Sequence, residues 1–406
     1  MNTARFRPQR SIHWFYFLMV CLVLQPGWAQ THYGVIDLGA LPGDLNSTAA
    51  GISNRPVIAA TSINSGVFRA FLWNKGRRKA LGTLGGSSSF AFAVNRDVEI
   101  VGQAALAGDA AQHAFLWVQD TISDLGALGG ENSVAFDISN QEQIVGQAET
   151  PDIDPFTGFP VYHAFFWQSG VMTDLGGLGG NNSSAQAIDL LGRVTGFAET
   201  STVPDPLWGV PPVDSFVWQN GTMTDLGKIL GGNFNSAYAI NKSGWVAGNA
   251  DLPGDLTARA FLWAHGTATQ LGTLPGDTIS AVLAINNRGR MVGISAASPD
   301  LLGPPALSGF DCPCHAFVIE GGKMWDLNLL IPSDSGWDLL IATDIDDRGE
   351  IVGQGMFNGH FRAFLLHPVA VPTQAKPASA IAKGSSSEVT HISLPKVGWQ
   401  HFHAGK

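Results

Sequence analysis

Cysteine is scarce, with only Cys21, Cys312 and Cys314 in 406 residues. A disulfide scaffold is therefore excluded, because such folds use several bridges in place of a core. Charge is scarce too, at 14% of residues against about 25% in ordinary globular chains. Acids outnumber bases 33 to 23, and the formal charge is −10. A surface of that sign repels nucleic acid and anionic lipid. Past residue 24 no run approaches the roughly 20 apolar residues of a membrane helix, so the remainder of the chain contains no membrane span.

The amino terminus is different. Arg5, Arg7 and Arg10 precede a largely apolar stretch from Ile12 to Leu24, and Gly27-Trp28-Ala29 follows with small residues. This order reads as a signal peptide over 1–29 and predicts a secreted protein, extracellular or periplasmic; an uncleaved anchor is the alternative. Cleavage removes those three arginines and no acid, moving the formal charge from −10 to −13. An acidic exported chain meets cations, neutral glycans or other proteins. Cys21 leaves with the signal, and Cys312-Pro313-Cys314-His315 remains. Two readings stay open there: a strained Cys312–Cys314 disulfide, or a thiolate metal site with His315 that is one ligand short of a closed zinc site.

Glycine is abundant, at 49 residues, and it punctuates a repeat. One marker is a polar residue, a small residue, Phe and two further apolar residues, as in His113-Ala114-Phe115-Leu116-Trp117 and Arg259-Ala260-Phe261-Leu262-Trp263. Its Phe recurs as Phe71, Phe115, Phe165, Phe216, Phe261, Phe317 and Phe364, at intervals of 44 to 56 residues. A second marker is Leu-Gly or a variant, usually preceded by Asp and followed by a Gly-rich connection, as in Asp124-Leu125-Gly126-Ala127-Leu128-Gly129-Gly130. A third runs Ile240-Asn241-Lys242-Ser243-Gly244-Trp245-Val246-Ala247-Gly248. Asn starts a type I turn and Gly takes the left-handed position after it, which is hairpin chemistry.

Each repeat thus holds four short β runs, here strands a to d. Examples are a at 237–240, b at 245–250, c at 215–218 and d at 223–227, with Asn220-Gly221 turning c into d. Four antiparallel strands per unit of about 40 to 50 residues is propeller spacing. The chain opens on a d strand at 33–39, and its last unit has a, b and c but no d. The expected fold is therefore all-β: a seven-bladed β-propeller over 30–367, closed by the N-terminal strand completing the last blade. Small residues such as Ala91, Ala93, Ala185 and Ala187 suit strand a nearest the axis. An open solenoid or paired sandwiches is the rival, but an open array wants distinct capping units. Pro372, Pro377 and Ser385-Ser386-Ser387 mark 368–406 as a flexible tail, in which His391, His401 and His403 are the conceivable metal ligands.

The His-Ala-Phe triplets at 113–115, 163–165 and 315–317, with Asp-Leu-Gly-x-Leu-Gly-Gly and Ile-Asn-x-x-Gly-x-Val-x-Gly, resemble the bacterial HAF repeat. The resemblance covers roughly 33–367. It implies export and a repetitive β fold and brings no assigned reaction. Departures are Arg or Asp for His in four units, Pro42 and Pro275 in two Gly-Gly connections, and Ala60 where other units have Gly.

In a propeller the b-to-c loops and d-to-a crossovers share one face, and all the long insertions here, at 148–162, 198–213 and 295–314, lie on it. They supply a candidate ligand face: Asp152, Asp154, Phe156, Phe159, Tyr162, Asp205, Trp208, Phe310 and Asp311. Aromatics beside carboxylates and amides suit a glycan. The competing reading packs these aromatics against the blades. Residues repeated around the ring, the position before Ala-Phe and the Asp before Leu-Gly, read as architecture. Asp344-Ile345-Asp346-Asp347-Arg348-Gly349-Glu350 hints at a calcium loop, yet it aligns with the ordinary a-to-b hairpin; no other cofactor is indicated. No sialidase-type Asp box, quinoprotein tryptophan motif or nucleophile elbow is present. The expectation is a monomeric, exported binding or interaction module for an extracellular glycan or protein. The alternative is a polysaccharide hydrolase or lyase using a carboxylate pair.

Overall fold

Each repeat sets small and large apolar residues between a tight c-to-d turn and a Gly-containing connection, so a single repeat cannot bury its own faces and must stack on neighbours. The computed structural model describes residues 30–297 and 313–369. Among them all regular structure is β-strand apart from a single 3-10 turn at Leu327–Leu329. The strands form seven four-stranded sheets, every pairing antiparallel, and no described helix is long and apolar enough to cross a membrane. Six sheets form in sequence order, over 46–80, 85–124, 133–174, 183–225, 235–272 and 279–326. The seventh joins both ends of the described chain. Its order is β1 (His32–Asp37), β28 (His360–Val369), β27 (Ile351–Phe357) and β26 (Trp337–Ile345), with Val35 opposite Leu366 and Ile36 opposite Leu365. The first blade packs on this last one, because Leu38, Ala49 and Ile58 share an apolar cluster with Val352, Ala363 and Leu365. The seven sheets make a ring, a seven-bladed β-propeller.

The repeated Phe is the knob that builds it. All seven copies are fully buried. Phe165, for example, sits with Ala135, Ile138 and Ile144 of its own blade and Val101, Ala114 and Leu116 of the preceding one. Burying such a ring contributes about 1.5–3 kcal/mol, and the ring of blades repeats it. The glycine ending the third marker has a steric cause. In the third blade strand a is β10 (Ser133–Ile138) and strand b is β11 (Ile144–Ile153); the register slips between Ala135 and Asp137, and a Cβ on Gly146 would stand 1.9 Å from the Val134 carbonyl oxygen. The same slip recurs in strand a of every blade.

The turns follow the expected chemistry. Asn220 and Gly221 have φ of 51° and 82°, the two left-handed positions of a type I′ turn, and Gly244 has φ of 76° after a Gly244 N–H···O=C Asn241 bond of 2.8 Å. Strand ends differ from the sequence reading by a residue or two. Strand a of the fifth blade is Asn235–Ile240 instead of 237–240, because polar Asn235 and Ser236 join a ladder that apolar alternation does not reveal. The first strand is 32–37 instead of 33–39, since Leu38 turns inward and gives its N–H to Ala363 O.

Candidate functional site

The long-loop face is built by two adjacent blades in the same way. In the third, Asp154-Pro155-Phe156-Thr157-Gly158-Phe159 closes with Asp154 N–H on Phe159 O and Gly158 N–H on Asp154 O, each 2.8 Å. In the fourth, Asp205-Pro206-Leu207-Trp208-Gly209-Val210 repeats both bonds at 2.8 Å. The Asp side chains are clamps. One Asp154 oxygen accepts from the N–H groups of Phe156 (2.8 Å) and Thr157 (2.9 Å), and the other from Asn181 Nδ2 of the next blade (2.9 Å). Asp205 accepts from Leu207 N–H (2.8 Å) and from Asn233 Nδ2 of the next blade (3.1 Å). Burial alone would raise the Asp154 carboxyl, but its hydrogen bonds from Asn181, Thr157 and Phe156 outweigh that and hold it below the ordinary value.

These clamps present apolar tips. Phe156 and Leu207 are each 63% exposed, and Ile153, Phe159, Val203 and Trp208 are exposed beside them. Asp152 is exposed on the approach to the first tip. Tyr162 is half-buried and donates its hydroxyl to Glu149 at 2.7 Å; burial, then Glu149, raise its pKa. Phe310, Asp311 and Cys312 lie outside the described residues, while Cys314 is disulfide-bonded. Of the sequence candidates, the structure therefore brings Phe156, Phe159 and Trp208 to the surface and turns Asp154, Asp205 and Tyr162 to internal partners.

The strand-b acids that face the crossovers are also internal. Glu149 accepts the N–H groups of Glu131 and Asn132, and Glu199 those of Asn181 and Asn182, at 2.9 to 3.1 Å. Gly130 and Gly180 make room, for a Cβ there would meet Glu149 or Glu199 at 2.4 and 2.2 Å. The first and sixth blades exchange the parts: Pro42-Gly43-Asp44 and Pro275-Gly276-Asp277 carry the acid on the crossover, Ile63 and Ala296 stand at the glutamate position of strand b, and Ser62 and Ser295, one residue earlier, accept the N–H groups of Leu41 (2.9 Å) and Leu274 (3.1 Å). The two proline departures are thus half of a coupled swap. The residue before Ala-Phe is bound within its own repeat as well. His113 pairs with Asp124 (2.8 Å), His163 with Asp174 (2.7 Å), His315 with Asp277 (3.2 Å) and Arg362 with Asp37 (2.8 Å). The calcium-loop carboxylates point apart: Asp344 to Ile52 N–H, Asp346 to Arg348 and Asp347 to Asn287. No group of three or more His, Cys, Asp or Glu able to hold a metal is present among the described residues.

The opposite, hairpin face carries a cavity that the sequence reading missed. The a-to-b turns of all seven blades converge on about 170 Å³, with Asn54, Arg96, Asn140, Lys242, Asn287 and Asp347 among its lining. One residue inward, at the register slip of strand a, stand Asp137 and Asp344. Each accepts two N–H groups, one from its following residue and one from strand a of the next blade: Ile138 and Ile188 for Asp137, Ile345 and Ile52 for Asp344, at 2.8 to 2.9 Å. Burial pushes Asp137 up to about 6 and Asp344 up to about 7. Each turn looks ordinary alone; only ring closure assembles the cavity.

No family model matches the chain, and no curated protein matches it. Among solved structures it is similar to the β-propeller domain of the Trilobed protease from Pyrococcus furiosus, at 13% identity and a TM-score of 0.43 over 69% of this chain and 81% of that one. It is also similar to TolB from Acinetobacter baumannii (11%, 0.38, 54% of this chain and 52% of that one) and to a Trypanosoma rangeli sialidase (9%, 0.35, 82% and 57%). These likenesses are too slight to say anything of activity.

Proposed function

We propose that this propeller is an exported binding module of the HAF-repeat kind, whose ligand, a neutral extracellular glycan, contacts the face with the long b-to-c loops. The observation that carries the reading is the pair of identically clamped hairpins that hold Phe156, Phe159, Leu207 and Trp208 at the surface of adjacent blades. Exposed rings on rigid turns gain affinity because little freedom is lost on binding, and ring faces stack on sugars. A hydrolase at this face needs acids that can donate or accept a proton, but both oxygens of Asp154 and of Asp205 already accept hydrogen bonds from the protein. The test titrates the full chain against a panel of neutral polysaccharides while released reducing ends are counted. Saturable binding without release is expected. Release that an acid-to-amide change abolishes would replace this reading with the hydrolase.

A further inference from the structure

The a-to-b turns are near copies, and the second residue of each reaches the axial cavity on the hairpin face. Where that residue is Asn or Asp, its side-chain oxygen accepts the main-chain N–H of the equivalent residue one blade back. Arg96 N–H donates to Asn140 Oδ1 (2.9 Å), Lys242 N–H to Asn287 Oδ1 (3.0 Å), Asn287 N–H to Asp347 Oδ1 (2.9 Å) and Asp347 N–H to Asn54 Oδ1 (2.9 Å). Four junctions of the ring are sealed in this way. At the other three the next blade offers Arg96, Leu190 or Lys242, whose side chains cannot accept. The N–H groups of Asn54, Asn140 and Leu190 consequently have no protein acceptor among the described residues.

Two of the three exceptions bring positive charge to the same mouth. Lys242 has no acidic partner among the described residues, and Arg96 lies 3.6 Å from exposed Asp97. The one carboxylate at this ring position, Asp347, is occupied by Asn287 N–H, Asn287 Nδ2 (3.0 Å) and Asn54 Nδ2 (3.3 Å). Unmet N–H donors and cations around one concave mouth are the ingredients of an anion site.

We propose that the axial mouth of the hairpin face binds a small oxyanion, a carboxylate or a phosphate. Its oxygens take the place of the missing Asn or Asp oxygens at the N–H groups of Asn54, Asn140 and Leu190, and Arg96 and Lys242 balance its charge. A cavity of 170 Å³ lies below the roughly 300 Å³ of a drug-sized pocket, which selects a small molecule over a polymer. The site lies on the face opposite the exposed rings and does not depend on what they bind.

The test is calorimetric titration of the full chain at low salt with citrate and, separately, with inorganic phosphate. Saturable binding of at least one is expected; citrate alone assigns carboxylates, phosphate alone assigns phosphoryl groups. Arg96→Asn and Lys242→Asn each remove a cation and restore the repeat's own acceptor, so each should weaken binding about tenfold or more while the melting temperature holds or rises. Leu190→Asn changes no charge, yet it supplies an acceptor to Asn140 N–H and should also weaken binding, which general electrostatic attraction would not produce. Absence of saturable binding of either anion to the native chain, or affinity unchanged in Leu190→Asn and in the Arg96→Asn/Lys242→Asn pair, overturns the site.

Discussion

At the residue scale, Asp137 and Asp344 occupy a slot that is Gly51, Ala93, Ala187, Ala239 and Ala284 in the other blades. Each bridges to the next blade's innermost strand, gaining two hydrogen bonds while its charge stays desolvated. Desolvation prevails, because both carboxyls are raised on folding from 3.8, to about 6 and about 7. The native state therefore holds these protons more tightly than the unfolded chain. The stability this adds is fully present below the unfolded value and is lost as pH climbs through about 6 and then about 7. The Asp137→Ala/Asp344→Ala chain should show a melting temperature that falls less between about pH 4 and pH 8 than that of the native chain. An unchanged slope would mean that other groups carry the dependence. The sequence marked Asp344 only within a candidate calcium loop and Asp137 not at all: an Asp beside a polar turn reads as turn chemistry, and desolvation is a property of the assembled ring.

At the scale of the element, the repeat was legible because its signals are local. The Phe knob, the type I′ Asn-Gly turn and the small residues of strand a each act within a few positions. The clamps were not legible, because Asp154 meets Asn181 only across a blade junction, and a lone loop Asp looks the same whether it serves a ligand or a turn. Two substitutions test this scale. Gly146→Ala sets a Cβ against the Val134 carbonyl and should cost about 2–3 kcal/mol in urea unfolding. In the first blade Ala60 already stands opposite Ala49, so Ala60→Gly should cost only about 1 kcal/mol. Asp154→Ala removes the Phe156, Thr157 and Asn181 bonds and should weaken ligand binding at the loop face more than it lowers the melting temperature.

At the scale of the whole molecule, β1 ties the N-terminal end of the described chain to the last blade and buries Tyr33 against Leu330 and its neighbours. Deleting 31–39 leaves the outer edge of β28 unpaired and takes Leu38 from the cluster joining the first and last blades. The shortened chain should melt more than 10 °C lower or aggregate, roughly what loss of several kcal/mol of burial implies; melting within a few degrees of the native chain would show that the ring does not need this strand. Seven near-identical blades also separate architecture from function. Paired residues such as His113 with Asp124 and His163 with Asp174 recur around the ring, whereas Phe156 and Trp208 belong to loops that most blades lack. The most direct measurement compares two double variants of the full chain, Phe156→Ala/Trp208→Ala and His113→Ala/His163→Ala, for affinity toward the glycan that the native protein binds best. Binding lost in the first and kept in the second is the expected result; binding kept in the first and lost in the second, with both still folded, would contradict the assignment of function to the divergent loops.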